Sequence, residues 1–331
     1  MKGASTAYLA PRGFEPQLRA ELREITAEHG RLFVAEGPRQ RAHWAENIWL
    51  DPVELKIRSV KDAARQLRAI QRNWALCSFA LHRRAKLIQA ELPHVSAKAL
   101  EFPSPAPRAP LGSWTLLDEE TILASPNCTS PFPNGEARFV EFKSGPPTRA
   151  YLKLWEALTL LGRHPTPRER CLDAGASPGG WTWALSRLGA SVTAVDRASL
   201  DPGITRMAGV ECRQGSAFSI RPGSEPFDWI LSDVVCYPER LWTWIKAWLE
   251  SGSARHFVCT LKFQGDEHYG AIRDFESVEG SRLVHLHANK HELTWIFSRD
   301  SAGDGAPSAL SASSPDASGG SPAQGVAPSE S

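Results

Sequence analysis

Four polar residues stand at or beside the ends of apolar runs: Lys153 in R-A-Y-L-K-L-W-E-A-L, Asp233 in I-L-S-D-V-V, Lys262 in F-V-C-T-L-K-F and Glu292 in K-H-E-L-T-W-I-F. Two amines and two carboxylates brought to one edge of a sheet could align a weakly nucleophilic hydroxyl and take its proton. Taken singly, each reads better as a salt-bridged surface charge than as a catalytic group. A second candidate is the stretch 171–183, C-L-D-A-G-A-S-P-G-G-W-T-W. It reads as a strand, a glycine-rich turn and a helix. Gly175, Gly179 and Gly180 lack a Cβ, so a ligand can approach the main chain there, and the helix start offers unpaired N–H groups with partial positive charge. A carboxylate-bearing or otherwise anionic cofactor suits such a turn. The dinucleotide pattern G-x-G-x-x-G is absent, because Gly175 is followed by A-S-P-G-G. Asp196 closes the next apolar run about 20 residues on, where an acidic side chain can accept hydrogen bonds from a ribose diol. The plainer alternative is a surface aspartate at a strand end.

The elements that must hold these residues lie between about residues 146 and 300, where strand and helix patterns alternate. Strands are expected over 170–174, 191–196, 209–214, 227–233, 256–262, 282–287 and 293–298, and helices over 149–161, 181–188, 238–249 and 267–278. That alternation predicts a doubly wound α/β sheet with ligands at the carboxyl ends of its strands. Leu241, Trp244, Ile245, Trp248 and Leu249 recur at helical spacing, which reads as a core stripe before it reads as a stacking platform.

Ahead of this half, 6–10 reads as a strand and Phe14, Leu18, Leu22 and Ile25 as one amphipathic helix. Strands are expected at 32–35 and 47–50, a helix over 60–74, an extended stretch at 77–81 and a hairpin over 113–117 and 121–124. We therefore expect a smaller N-terminal α+β domain over 1–125, a linker over 126–148, the α/β domain over 149–300 and a disordered tail over 301–331, where Ala, Gly, Ser, Pro and Asp dominate. The net charge of +1 is unevenly spread: residues 1–100 carry 17 Lys+Arg against 10 Asp+Glu (+7), and residues 101–331 carry 21 against 27 (−6). A basic front half, with Arg65, Arg68, Arg72, Arg83, Arg84 and Lys86 near Trp74 and Phe79, suits a polyanion such as RNA, although solvated helix faces are also Arg-rich. The six cysteines form no C-x-x-C pair, which argues against a zinc site or a disulfide framework. There is neither an uninterrupted apolar run of about 18 residues nor a signal-peptide core, so a cytoplasmic protein with no membrane span and no metal is expected.

D-A-G-A-S-P-G-G-W-T resembles the D-x-G-x-x-P-G-G-[WF]-[ST] loop of Rossmann-like S-adenosylmethionine-dependent methyltransferases. With that loop, Lys153, Asp233, Lys262 and Glu292 resemble the Lys-Asp-Lys-Glu set of the FtsJ-like ribose 2'-O-methyltransferases. P-R-G-F-E-P-Q-L-R-A-E-L, S-P-F-P-N-G-E-A-R-F-V-E-F-K-S-G-P-P-T-R-A-Y-L-K-L-W-E-A and D-V-V-C-Y-P extend the likeness to the large-subunit ribosomal RNA methyltransferase M branch. The resemblance is good over about 125–299 and patchy over about 6–125. It implies an S-adenosylmethionine site built from Asp173, Gly175, Ala176, Ser177, Pro178, Gly179, Gly180, Trp181, Asp196, Ser216 and Asp233, and catalytic roles for Lys153, Asp233, Lys262 and Glu292. It further implies a THUMP-related RNA-recognition domain in front and methylation of a cytidine ribose in 23S rRNA. Two features depart from the branch: the front half is shorter, and Ser216 in R-Q-G-S-A-F occupies the place of an aspartate that contacts the adenine amino group. Lys262 is the expected base, with Lys153 and partial burial favouring its neutral form and Asp233 opposing them. Amino-directed base methylation is disfavoured, because S-D-V-V replaces the N/D-P-P-Y/F/W motif, and Cys236 lacks the context of a cytosine-C5 nucleophile. The alternative to an enzyme is a non-catalytic RNA-binding protein that retains the fold.

Overall fold

The computed structural model describes residues 5–264 and 269–302. Apart from its first two residues, the tail expected over 301–331 lies outside the described residues, as do 267 and 268 of the expected helix over 267–278.

The front half builds two four-stranded sheets. In the first, β1 (Ser5–Leu9) pairs antiparallel with β3 (Leu32–Glu36) and β4 (Asn47–Trp49), and β2 (Ile25–His29) forms the outer edge. Helix α1 (Glu15–Glu21) is shorter than its periodicity predicts, because Leu22 is extended and Glu24 sits at φ 54°. Ile25 therefore opens β2 instead of closing the helix. In the second sheet the order is β5 (Val53–Lys56), β8 (Thr121–Ser125), β7 (Gly112–Leu116) and β6 (Trp74–Leu76). Helix α2 (Val60–Ile70) starts where Ser59 Oγ accepts the Asp62 N–H and buries Ala63, Ala64 and Leu67. It stops four residues before Trp74, which enters β6. Helix α3 (His82–Ala90) has no counterpart in the sequence reading; Leu81, at φ 50°, turns the chain into it from the stretch expected to be extended.

The segment 126–148, read from sequence as a linker, lies against the body of the molecule: Phe132, Ala137 and Phe139 are buried with Tyr151 and Trp155. The two halves also share a core. Tyr8, Leu18, Phe33 and Trp44 belong to the same apolar cluster as Trp244, Trp248, Phe257 and Trp295.

The second half runs α4 (Tyr151–Leu161), β9 (Arg170–Ala174), α5 (Gly180–Arg187), β10 (Ser191–Asp196), α6 (Pro202–Thr205), β11 (Val210–Gln214), β12 (Trp229–Ser232), α7 (Pro238–Ser251), β13 (His256–Lys262), α8 (Ile272–Glu276), β14 (Arg282–Val284) and β15 (Glu292–Ser298). Its seven strands are ordered β11-β10-β9-β12-β13-β15-β14, all parallel except β15. The expected bounds of β9, β10 and β13 are reproduced. The order reverses between β9 and β12, the switch point at which an open α/β sheet leaves a crevice. The tryptophan stripe of α7 is core, with Leu241, Trp244, Ile245 and Trp248 all buried. Trp248→Ala should cost about 3–5 kcal/mol of folding stability, read as a lowered denaturation midpoint in urea.

Candidate active site

Helix α4 carries Lys153 on its first turn, buried to 9% side-chain exposure. An ammonium so far from water is costly unless paired. Lys153 Nζ donates to both Asp233 oxygens at 2.9 Å and to Glu292 Oε1 at 2.9 Å. Burial alone would lower its pKa, yet Asp233 and Glu292 together outweigh burial and raise it above the ordinary lysine value. Lys153 is a fixed cation. Lys262, the last residue of β13, donates to the Asp233 carbonyl at 2.6 Å and lies 3.1 Å from Asp233 Oδ1.

Topology explains how Glu292 joins them. Because β15 runs against β13, its first residue lies at the carboxyl edge, in register with Lys262. Glu292 thus opens the strand that the sequence reading starts one residue later. Asp233 follows the last residue of β12. All four residues meet.

The glycine turn lies beside this cluster. A Cβ on Gly175, at φ 86°, would sit 2.6 Å from Val234 Cα, and one on Gly180 would sit 2.6 Å from Thr148 Oγ1. Only glycine leaves that space. A cavity of about 460 Å³ opens there, lined by Asp173, Gly175, Ala176, Ser177, Pro178, Gly180, Trp181, Asp196, Ser216, Asp233 and Lys262. Gly179 is the one expected cofactor residue outside this lining; its φ of 119° starts α5, and Ile204 packs where its Cβ would be. Asp196 is held by the N–H groups of Ser177 and Ala198, each at 2.9 Å. Ser216 Oγ accepts the Phe218 N–H at 3.3 Å.

Asp173 is fully buried, and that burial pushes its pKa up to about 7 despite a 2.6 Å hydrogen bond donated by Thr182 Oγ1. Its other oxygen, Oδ1, has no protein donor. A buried, half-satisfied carboxyl group on the cavity wall retains capacity for one more donor.

A second cavity, of about 810 Å³, opens on the far side of Lys153 and is lined by Lys153, Glu156, Lys262, Lys290, Glu292, Arg138, Arg149 and His287, among others. Lys262 and Ala150 line both spaces. Sequence reasoning missed Glu156 and Lys290, although K-L-W-E places Glu156 one helical turn from Lys153 and Lys290 is two residues before Glu292. Among the described residues no cluster of potential metal ligands occurs, and no helix is long and apolar enough to cross a membrane.

This sheet order, with its single reversed strand and its glycine turn at the switch point, defines a Rossmann-like methyltransferase domain. Residues 147–250 match the FtsJ-like methyltransferase family. Similar proteins include Ribosomal RNA large subunit methyltransferase M of Halorhodospira halophila, 35% identical over 169 residues, or 49% of each chain. The protein of that name from Methylococcus capsulatus is 33% identical over 163 residues, 48% of this chain and 46% of its own. That from Xanthomonas axonopodis pv. citri is 32% identical over 220 residues, 59% of this chain and 61% of its own. The chain spans about half the length of the first of these curated relatives.

Two outcomes test the site's geometry. Gly175→Ala forces a side chain against main-chain atoms at positive φ; it should destabilise the fold and close the first cavity to ligand, read by thermal shift and by ligand titration. Asp173→Asn should alter the pH dependence of stability. The unfolded carboxyl releases its proton near pH 4, whereas the folded one keeps it to about 7. Folding therefore takes up a proton in that window, and wild-type stability falls as pH rises through it, by at most about 1.4 kcal/mol per pH unit. Denaturation from pH 4 to 8 should show the asparagine variant gaining on the wild type up to about pH 7 and holding a constant difference above it.

Proposed function

We propose that the chain is an S-adenosylmethionine-dependent ribose 2'-O-methyltransferase acting on RNA, with a cytidine of 23S rRNA as the acceptor. The observation that carries this reading is the meeting of Lys153, Asp233, Lys262 and Glu292 where two cavities share the Lys262 side chain. One space suits the cofactor and the other the acceptor nucleotide.

The residues of the first cavity fit S-adenosylmethionine. Its ammonium matches the unpartnered Asp173 Oδ1, its carboxylate the N-terminus of α5, and its ribose hydroxyls Asp196. Ser216 offers only a short hydroxyl toward the adenine end. When bound, the cofactor supplies an electrophilic methyl group on a cationic sulfonium. Lys262, as the free amine, orients the 2'-hydroxyl from the shared edge and accepts its proton at Nζ. Lys153, held charged between its two carboxylates, adds positive potential that favours loss of that proton. Asp233 fixes both lysines, and Glu292 fixes Lys153 from the opposite side.

RNA as the partner is supported by charge in the front half. Arg65, Arg68, Arg72, Arg83 and Lys86 are exposed on and around α2 and α3, a placement suited to phosphate contacts. Trp74 is buried and Phe79 packs into a neighbouring core, so neither serves as a stacking surface. A cytoplasmic location accords with an rRNA substrate.

Lys262→Ala should lower the rate of methyl transfer by roughly 10²–10⁴-fold while leaving S-adenosylhomocysteine affinity nearly unchanged. The measurement is incorporation of labelled methyl into deproteinised large-subunit rRNA, with 2'-O-methyl positions mapped afterwards. Full activity of the variant would overturn the role of Lys262, and failure of the wild type to bind S-adenosylhomocysteine would overturn the enzyme reading.

A further inference from the structure

The proposed mechanism leaves Glu156 unused. It sits one turn after Lys153 on α4, on the wall of the second cavity, with its carboxyl group out of contact with water. Among the described residues no lysine or arginine pairs with it. Instead its two oxygens accept the His287 main-chain N–H at 2.9 and 3.1 Å, and the Ala288 N–H also reaches it. The segment it grips, residues 287–291, leads directly into Glu292 and carries Lys290 to the same cavity. Helix α4 therefore clasps one loop twice: Glu156 takes its main chain at the start, and Lys153 takes the Glu292 side chain at its end.

The loop is also held from the other half of the molecule. His287 Nδ1 lies 3.0 Å from Glu46 Oε1, and Glu46 Oε2 accepts from Arg31 Nη1 at 3.1 Å. Within the loop, Asn289 Nδ2 donates to the Glu292 carbonyl at 3.2 Å, and the Lys290 N–H points at Glu292 Oε1 at 3.4 Å. A carboxyl group buried with main-chain donors as its direct partners is expensive. Burial, opposed by the main-chain N–H groups and reinforced by Glu46, raises its pKa to about 8. An apolar residue would avoid this cost, and the geometry shows what the carboxyl group accomplishes: it sets where the loop lies.

We propose that Glu156 is a positioning residue for methyl transfer, holding the main chain at His287 and Ala288 so that Glu292 reaches Lys153 and Lys290 faces the acceptor cavity. The inference rests on the methyltransferase reading. It assigns the loop 287–292 to the acceptor side, since none of its residues lines the first cavity.

Two variants of the full chain test it. Glu156→Ala removes both acceptors; it should lower kcat about 10–100-fold, the cost of a small misplacement at a reacting centre, while the KM for S-adenosylmethionine stays within about twofold. Glu156→Gln keeps a carbonyl oxygen for the main chain and should recover most of the loss. Amide exchange provides a readout independent of activity: the alanine variant should exchange faster over 286–292 and unchanged over 173–181. Unaltered exchange over 286–292, unaltered kcat in the alanine variant, or a glutamine variant as impaired as alanine would each overturn the positioning role. The two readings fail separately. An inactive wild type with altered loop exchange in the alanine variant leaves the clasp standing and defeats the methyltransferase reading; an active wild type with indifferent variants defeats only the clasp.

Discussion

The structure depends on one buried ammonium. Lys153 lies at 9% side-chain exposure with three hydrogen bonds to two carboxylates. Removing both partners would leave a charge in low dielectric without compensation, a loss of several kcal/mol. The pairing therefore constrains three elements far apart in sequence. Helix α4 must lie across the carboxyl edge of the sheet, β12 must end where Asp233 can turn inward, and β15 must begin at that same edge. A parallel last strand would start at the opposite edge, about a strand length away. The antiparallel insertion of β15 between β13 and β14 is what makes the cluster possible.

That constraint also separates the two cavities. Asp233 lines the first cavity, Glu292 and Lys153 line the second, and Lys262 lines both. Glycine is required at the first cavity because Val234, the residue after Asp233, packs directly against Gly175. The loop that supplies Asp233 is thus also the floor of the glycine turn. A change at Gly175 would be felt at Asp233 as well as by a ligand.

Much of the second half was legible in the sequence for a physical reason. Its central strands are covered on both faces, so they read as continuous apolar runs, and their polar ends fall at the carboxyl edge. Asp233, Lys262 and Glu292 could each be placed at such an end, and the glycine turn between β9 and α5 has a pattern of its own. The pairing itself is non-local, 80 and 139 residues in span, and no local pattern encodes it. The front half was less legible. Ile25 continues the helical spacing of Phe14, Leu18 and Leu22, but the break at Glu24 is a left-handed main-chain conformation that periodicity does not record. Helix α3 was hidden because its buried residues are only Ala85 and Ile88 among charged neighbours. The segment 126–148 looked like a linker from its Pro, Ser, Asn and Gly content, yet Phe132, Ala137 and Phe139 anchor it.

The least legible residue is Glu156, and its invisibility follows from its partners. A glutamate in K-L-W-E-A reads as a solvated helix position, since nothing in the local pattern distinguishes a carboxyl group facing water from one facing main-chain N–H groups of a loop 131 residues away. The surrounding helix is buried almost throughout, from Tyr151 to Thr159. Polar side chains on such a helix must each find a partner, and Lys153 and Glu156 do so on the same segment by different means, one through a side chain and one through the main chain. They do not neutralise each other, although they are three residues apart, because each is already committed. A direct Lys153–Glu156 pair would satisfy both side chains locally and leave Glu292 and the loop without an anchor. The observed arrangement sacrifices that local pair for two long-range ones, and in doing so ties the second cavity to helix α4.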